Sequence, residues 1–433
     1  MPAAARRPTL AGPMPGIVPT GSCGRRATAA LASDLAIASR QTSPGNLAKE
    51  RRSGYPPSPV SGLSAKQLAF LAKHGFDPAL QQRWQEDVAA GRLAKANNLV
   101  AGELLAPPPG TLKKLPGSAT KTAKELERLG NEAIARGELG VVVLNGGMAT
   151  RFGGVVKGVV PVLGKERSFL GLMIEDVKKA AARAGGKVPV FLMNSFATDA
   201  ATKQHFVEHG GFGFDADRLA HFTQFVQLRM TKKGELFSLA DGEASAYGPG
   251  HGDFAPALRR SGMLERFRAG GGKYLFVRNV DNLGARIDPV ILGHHIKSKQ
   301  DATVELAPKW PEDVGGAPYL IDGRVQLVEQ LRFPEGFDPS IVDVFNTNTF
   351  TFTAAALDRD FDLGWYYVEK TVEDKKAVQI EHLIGELTAH LSTNWLQIRR
   401  SGRQNRFLPI KAPDDLLAAR EEIVEMYDGG DAG

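Results

Sequence analysis

One short apolar segment, residues 139–144, limits the possible folds of this chain more than any other feature of its sequence. Its residues read Leu-Gly-Val-Val-Val-Leu, which is the length and composition of a strand without a polar face. A strand that is buried on both faces is typical of a parallel sheet covered by helices. The segment therefore predicts that the chain contains an α/β layer structure.

Further strand and helix signals alternate along the chain, as expected for an α/β protein. Short apolar runs predict strands at 188–194, 274–277, 303–306, 325–331 and 342–352. Apolar residues spaced by three and four positions predict helices within 64–98, at 118–136, after Ser168, at 375–391 and at 413–427.

The positive charge of the chain is confined to its beginning. The net charge is +6, but residues 1–60 contain eight basic and two acidic residues, which leaves 46 of each sign in 61–433. The neutral body gives no bulk-charge signal for a nucleic-acid partner. Residues 1–60 are rich in Ala, Pro, Gly, Ser and Arg, so we predict a disordered basic tail; a transit peptide is the alternative.

Cysteine usage and hydropathy exclude several other classes of protein. Cys23 is the single cysteine, so neither an intramolecular disulfide framework nor a cysteine-cluster zinc site is possible. No run of about 18 apolar residues is present, so we predict no membrane span and expect a cytoplasmic protein.

The strongest candidate site follows the first predicted strand directly. Residues 144–154 read Leu-Asn-Gly-Gly-Met-Ala-Thr-Arg-Phe-Gly-Gly, and Lys157 follows. Glycines at the carboxyl end of a strand let backbone N–H groups approach a phosphate, and Arg151 and Lys157 add cationic donors. We therefore favour a phosphate site over a plain glycine-rich turn. The spacing matches neither the P-loop nor the dinucleotide-binding fingerprint.

Three later segments also combine strand ends or glycines with polar side chains. His251 stands among three glycines at 247–253, in a loop that could lie flat against a base or a sugar. Asp281 follows a predicted strand and could hold Mg²⁺ on a triphosphate, or could close an Asx turn. Asn346 and Asn348 point the same way on a strand, and paired amides suit sugar hydroxyls.

Five segments in this order resemble the UTP–glucose-1-phosphate uridylyltransferase family, over about residues 60–428. They are 144–147, 249–253, 279–284, 345–348 and 406–411. The resemblance implies a nucleotide-diphospho-sugar transferase fold, with a mixed, mainly parallel sheet between helices. It divides the body into a helical segment at 61–137, a nucleotidyltransferase core at 138–372 and a helical segment at 373–433 that contributes Lys411.

The resemblance also implies a role for each matching residue. Gln224 is similar to the family's uracil-reading glutamine, and Gly250 would lie against the uracil. Lys411, which by itself is an ordinary surface residue, would meet the phosphates. The implied UTP-binding residues are Leu144, Asn145, Gly146, Gly147, Gln224, Gly250 and Asn279. The implied sugar-phosphate residues are His251, Asn346 and Asn348, the implied Mg²⁺ ligand is Asp281, and the implied catalytic residues are Lys157, Lys411 and Arg151.

The implied reaction joins UTP and glucose 1-phosphate to give UDP-glucose and pyrophosphate. The alternatives are a different sugar 1-phosphate, such as galactose or N-acetylglucosamine, and a sugar-nucleotide-binding protein without activity. The β-helix that ends many family members is not expected here, because no hexapeptide repeat follows residue 412. The oligomeric state therefore stays open.

Overall fold

Strands and helices alternate as predicted up to residue 308, after which, among the described residues, six further strands follow one another without an intervening α-helix. A computed structural model describes residues 62–313 and 315–429, so the predicted disordered tail lies outside the described residues. The helices are α1 (Ala65–Lys73), α2 (Pro78–Ala89), α3 (Lys121–Ala135), α4 (Phe169–Ala184), α5 (Asp199–Glu208), α6 (Phe254–Arg260), α7 (Met263–Ala269), α8 (Pro289–Ser298), α9 (Pro413–Ala418) and α10 (Arg420–Tyr427). The strands are β1 (Leu112–Lys114), β2 (Leu139–Asn145), β3 (Met148–Ala149), β4 (Val155–Val156), β5 (Val190–Asn194), β6 (Leu219–Thr223), β7 (Gln227–Leu228), β8 (Ala246–Tyr247), β9 (Tyr274–Asn279), β10 (Ala302–Pro308), β11 (Ala317–Ile321), β12 (Arg324–Val328), β13 (Val344–Thr353), β14 (Tyr366–Val372), β15 (Lys375–Glu381) and β16 (Thr393–Gln397).

Eight strands form one central sheet in the order β1-β16-β10-β13-β9-β2-β5-β6. Within it, β13 runs antiparallel to both of its neighbours, and the other pairs are parallel. The mixed, mainly parallel sheet is therefore confirmed. The first and last of the predicted segments, 61–137 and 373–433, each add a strand to this sheet, β1 and β16.

Both faces of the sheet are buried, as the apolar segment at 139–144 predicted. Alternate residues of β2 enter two different cores: Val142 packs with residues of α6 and α7, and Val141 packs with residues of α4. All seven residues of β2 are buried. Among the described residues, no helix has the length and apolar composition needed to cross a bilayer.

The helix predicted at 375–391 is wrong. Residues 375–381 form strand β15, which pairs with β14 in a hairpin whose register places Val372 opposite Lys375. The two turn residues, Glu373 and Asp374, both have positive φ (48° and 63°), which is the geometry that lets a two-residue turn follow the twist of its strands. The pair Glu373-Asp374 lacks the glycine or asparagine that usually marks such a turn, although aspartate tolerates this conformation. Residues 384–389 form a 3₁₀ helix.

Acid is expected to destabilise the fold through His295, a fully buried residue of α8. Its ring is hydrogen-bonded to Thr303 (2.9 Å) and Thr353 (3.1 Å), and burial lowers its pKa to about 4. Between pH 6.5 and 4 the unfolded chain binds the extra proton, so the free energy of unfolding falls by about 3 kcal/mol as the pH decreases through this range.

Chemical denaturation at a series of pH values measures this effect. His295→Gln should flatten the pH dependence of the unfolding free energy below pH 6.5, and His390→Gln, at an exposed position, is the matched control. An unchanged slope in His295→Gln would assign the acid lability to other groups.

Candidate functional site

The predicted site residues converge at one edge of the central sheet. The parallel strands β2, β5, β6 and β9 end there, at residues 145, 194, 223 and 279. Strand β13 runs the opposite way, so its first residues reach the same edge, and the Asn348 side chain donates to Asn279 Oδ1 (3.0 Å). The structure therefore brings the segments at 144–147, 224, 279–281 and 346–348 together.

Asn145 belongs to the framework of the glycine-rich turn. Its buried side-chain amide donates to Asn194 Oδ1 and to Thr202 Oγ1, both at 2.9 Å, and its carbonyl accepts from the Thr198 hydroxyl at 2.8 Å. Helix α5, which contains Thr202, thus fixes the end of β2. Leu144 is buried as well, whereas Gly146 is half-buried and Gly147 is exposed.

The glycine-rich stretch returns on itself as a hairpin. Strands β3 and β4 pair antiparallel, and the Lys157 N–H reaches the Gly147 carbonyl at 3.4 Å. The hairpin therefore places Lys157 beside the turn, as the phosphate-site hypothesis requires. Arg151 lies in the connection between the two strands, and its exposed side chain forms no ion pair or hydrogen bond with any described residue. Arg151 thus belongs to the same hairpin as Lys157, and its catalytic role stays a prediction.

Gln224 lies between two glycines. A Cβ atom at Gly248 would fall 1.3 Å from Gln224 Nε2, and one at Gly146 would fall 2.6 Å from Oε1. The side chain is 9% exposed, yet its amide makes no hydrogen bond to a described residue. An amide of this kind offers one donor group and one acceptor to a planar ligand.

The loop 249–252 presents His251 as a neutral hydrogen-bond donor. Its Nδ1 accepts from the Ile384 N–H at 2.9 Å, which places the proton of the neutral ring on Nε2. Burial, with a smaller effect of nearby His382, lowers the pKa of His251 to about 4. The ring is therefore uncharged at neutral pH.

His382 lies in the segment that was wrongly predicted as a helix, and it takes part in the site. His382 follows β15, and its Nε2 lies 2.6 Å from the Asp253 carboxylate, whose other oxygen accepts from the Phe225 N–H at 2.8 Å. The His382 main chain bonds to Pro249 and Gly252, and its ring stacks on Trp365 at 4.2 Å.

His382 and Asp253 thus connect the Gln224 segment to the loop that holds Gly250 and His251. Gly250, at φ 103°, packs so closely on the His382 carbonyl that a Cβ would lie 2.4 Å from its oxygen. The alternation of apolar and polar residues at 378–381, followed by His382, was the available signal for a strand here.

Glu329 is a second residue that sequence reasoning missed. It accepts from the Asn346 side chain at 3.0 Å, and Asn346 in turn accepts from the Asn348 N–H at 3.0 Å. Burial raises the pKa of Glu329. Asn348 has a φ of 56°, and its buried Oδ1 has no partner among the described residues. These three side chains form a hydrogen-bonded chain beside Asn279, in which Asn348 Oδ1 is the acceptor without a partner.

Lys157 and Asp281 form an ion pair at this edge, with Nζ 2.6 Å from Oδ2 and side chains that are 14% and 20% exposed. The Asp281 carbonyl accepts from the Ile410 N–H at 3.0 Å, so the main chain of Lys411 lies next to this pair. The exposed Lys411 side chain lines a cleft of 480 Å³ with Trp310 and Phe345. The main chain of this segment thus reaches Asp281, but among the described residues no contact joins the ammonium groups of Lys157 and Lys411.

Asp281 is the one residue at this edge that we consider as a Mg²⁺ ligand, so the protein would supply a single carboxylate to the metal. Its carboxylate is partly exposed, and one oxygen is free of the Lys157 ion pair. In the described part of the chain, the one group of three potential metal-binding side chains lies elsewhere, at residues 205–209. One carboxylate, with phosphate oxygens and water as the other ligands, is the arrangement that Mg²⁺ prefers at nucleotide sites.

Comparisons with known proteins agree with this geometry. The family described as UTP–glucose-1-phosphate uridylyltransferase matches residues 109–430. A UTP–glucose-1-phosphate uridylyltransferase from Solanum tuberosum is 31% identical over 305 residues, which cover 68% of this chain and 63% of the relative. The match thus spans less than two thirds of that relative's length.

Two solved structures have the same fold. One is a uridine diphosphate N-acetylglucosamine pyrophosphorylase from Trypanosoma brucei, with a TM-score of 0.69 and 20% identity over 83% of this chain and 80% of its own. The other is a UDP-glucose pyrophosphorylase variant from Leishmania major, with a TM-score of 0.63 and 24% identity over 82% of this chain and 79% of its own. From the family match and the potato relative, we conclude that this chain belongs to the UTP–glucose-1-phosphate uridylyltransferase family.

Proposed function

We propose that this chain transfers the uridylyl group of UTP to glucose 1-phosphate and releases pyrophosphate. The observation that carries the proposal is the shared strand edge, where the unpartnered Gln224 amide lies beside the same turn as the Lys157–Asp281 ion pair. A planar base and a chain of phosphates are the ligands that this combination would hold. Family membership supports the same substrates.

In the proposed reaction, a phosphate oxygen of glucose 1-phosphate attacks the α-phosphorus of UTP in line. A new P–O bond forms as the bond between the α-phosphorus and the bridging oxygen breaks, and the electron pair leaves with pyrophosphate. The attacking oxygen is already anionic, so no general base is needed. The protein must position the two substrates and offset the repulsion between their phosphates.

Each residue of the site has one role in the proposed reaction. Gln224 reads the uracil, and Gly250 lies against it. The uncharged His251 donates through Nε2–H to a phosphate oxygen, and Asn346, Asn348 and Glu329 hold sugar hydroxyls. Lys157 neutralises phosphate charge. Asp281 would hold Mg²⁺, which when bound supplies further positive charge to the phosphates.

An assay of pyrophosphate release tests the proposal. Purified protein is given UTP, Mg²⁺ and one of glucose, galactose or N-acetylglucosamine 1-phosphate. We expect the highest kcat/KM with glucose 1-phosphate. Faster turnover with another sugar would reassign the substrate, and UTP binding without pyrophosphate release would identify a binding protein. A cytoplasmic location and the absence of a nucleic-acid partner remain predictions from the sequence.

Loss of the His382–Asp253 hydrogen bond is expected to weaken the binding of UTP. His382→Ala removes the donor that holds the buried Asp253 carboxylate, so the loop 249–252 loses its anchor. A hydrogen bond to a charged group contributes about 1.5–3 kcal/mol, so we expect the KM for UTP to rise about 10-fold or more, with a smaller change in the KM for glucose 1-phosphate.

Steady-state kinetics with each substrate varied in turn measures the KM for UTP and the KM for glucose 1-phosphate separately. His382→Gln, which keeps an N–H donor, is expected to recover part of the loss. Equal changes in both KM values would show that His382 has only a general structural role.

A further inference from the structure

A histidine pair on helix α5 has the spacing of a metal site. The sequence His205-Phe206-Val207-Glu208-His209 places two histidines four positions apart on one helix face, with Glu208 beside them. One ligand atom from each of His205, Glu208 and His209 lies within 4.8 Å of the others. We refer to these three residues as the α5 cluster.

Hydrogen bonds orient both rings of the α5 cluster. His209 Nδ1 lies 2.9 Å from the His205 carbonyl, to which it donates, so the neutral ring keeps a lone pair on Nε2. His205 Nε2 lies 2.8 Å from Ser168 Oγ, and in the tautomer whose Nε2–H donates to this oxygen, Nδ1 keeps its lone pair for a ligand. Metal-binding histidines commonly have their second ring nitrogen held in this way.

The surroundings of the α5 cluster also suit a metal. A second carboxylate is available from another part of the chain, because Glu166 Oε2 lies 3.9 Å from His209 Nε2. Two imidazoles and two carboxylates make a four-ligand set of the kinds that Zn²⁺ accepts.

We propose that His205, Glu208 and His209 bind Zn²⁺, with Glu166 as the fourth ligand. The metal would link the end of α5 to the loop that precedes α4. Because Thr202 of the same helix holds Asn145 at 2.9 Å, the link would stabilise the support of the glycine-rich turn. The site is distinct from the Mg²⁺ position at Asp281 and does not depend on the proposed transfer reaction.

Zinc titration of the metal-free full chain tests the proposal. A Cys23→Ser background removes the only thiol. Calorimetry should show one equivalent of bound Zn²⁺, and Co²⁺ added in its place should give the absorption bands of a tetrahedral site. Loss of outer partners alone weakens metal binding about 10- to 100-fold, so loss of a ligand in His209→Ala should weaken it about 100-fold or more.

Three further variants complete the experiment. Glu208→Gln, at an exposed position, should also weaken Zn²⁺ binding, and Ser168→Ala should weaken it about 10-fold through the His205 ring. His390→Ala, an exposed histidine outside the cluster, should bind as the parent does. Failure of the parent protein to bind one equivalent, or equal affinity in His209→Ala, would overturn the proposal.

Discussion

Replacing Lys157 with methionine is expected to reduce the turnover number about 100-fold or more, by analogy with the loss of one preorganised donor at a developing charge. Lys157 Nζ lies 2.6 Å from Asp281, at the strand edge where the proposed reaction would bring the two phosphates together. Methionine keeps most of the chain length but removes the charge, so the repulsion between the substrates returns. Substrate affinity should change less than turnover, because the repulsion is greatest as the new bond forms.

Pyrophosphate release under saturating substrates measures this loss, and circular dichroism with thermal melting establishes that the variant folds. Lys187→Met is the matched control. Lys187 is exposed and precedes β5, at the opposite end of the strand from the site. A folded Lys157→Met variant with near-normal turnover would remove Lys157 from the mechanism.

The sheet and much of the site could be predicted because local patterns determine them. The strand at 139–144 has no polar residue, so its burial on both faces follows directly, and its end fixes the position of the glycine-rich turn. Asn279 follows the same rule at the end of β9. Because parallel strands end at one edge of a sheet, the strand signals at 139–144 and 274–277 are consistent with the meeting of these two segments.

The contacts that the sequence could not predict depend on long-range packing. His382 reaches Asp253 only because the β14–β15 hairpin forms. That hairpin turns at Glu373 and Asp374, which lack the glycine or asparagine that usually marks a two-residue turn. Glu329 follows β12, and its role depends on meeting Asn346 of β13. The contacts of His382 and of Glu329 both depend on residues distant in sequence, which local periodicity does not indicate.

The side chain of Lys411 is exposed, but the main chain that carries it is held in a fixed position. The buried Arg406 pairs with Glu305 through two hydrogen bonds of 2.6 and 2.9 Å, which anchors the segment that ends in Lys411. The main chain of this segment then bonds to residues 281–283 through Leu408 and Ile410. The main chain of Lys411 is therefore held beside Asp281, and in the proposed reaction its flexible side chain would turn from the cleft toward the phosphates.

Lys411→Met is accordingly expected to lower turnover about 100-fold, as for Lys157, while the anchored segment stays folded. If both ammonium groups act on the same phosphates, the double variant Lys157→Met/Lys411→Met should lose less than the product of the two single losses, because residues that act as a unit are not additive. Turnover and KM of the four proteins in this cycle give the coupling. If the two losses of turnover multiply strictly, the two lysines act independently. Normal turnover in Lys411→Met would show that Lys411 takes no part in the reaction.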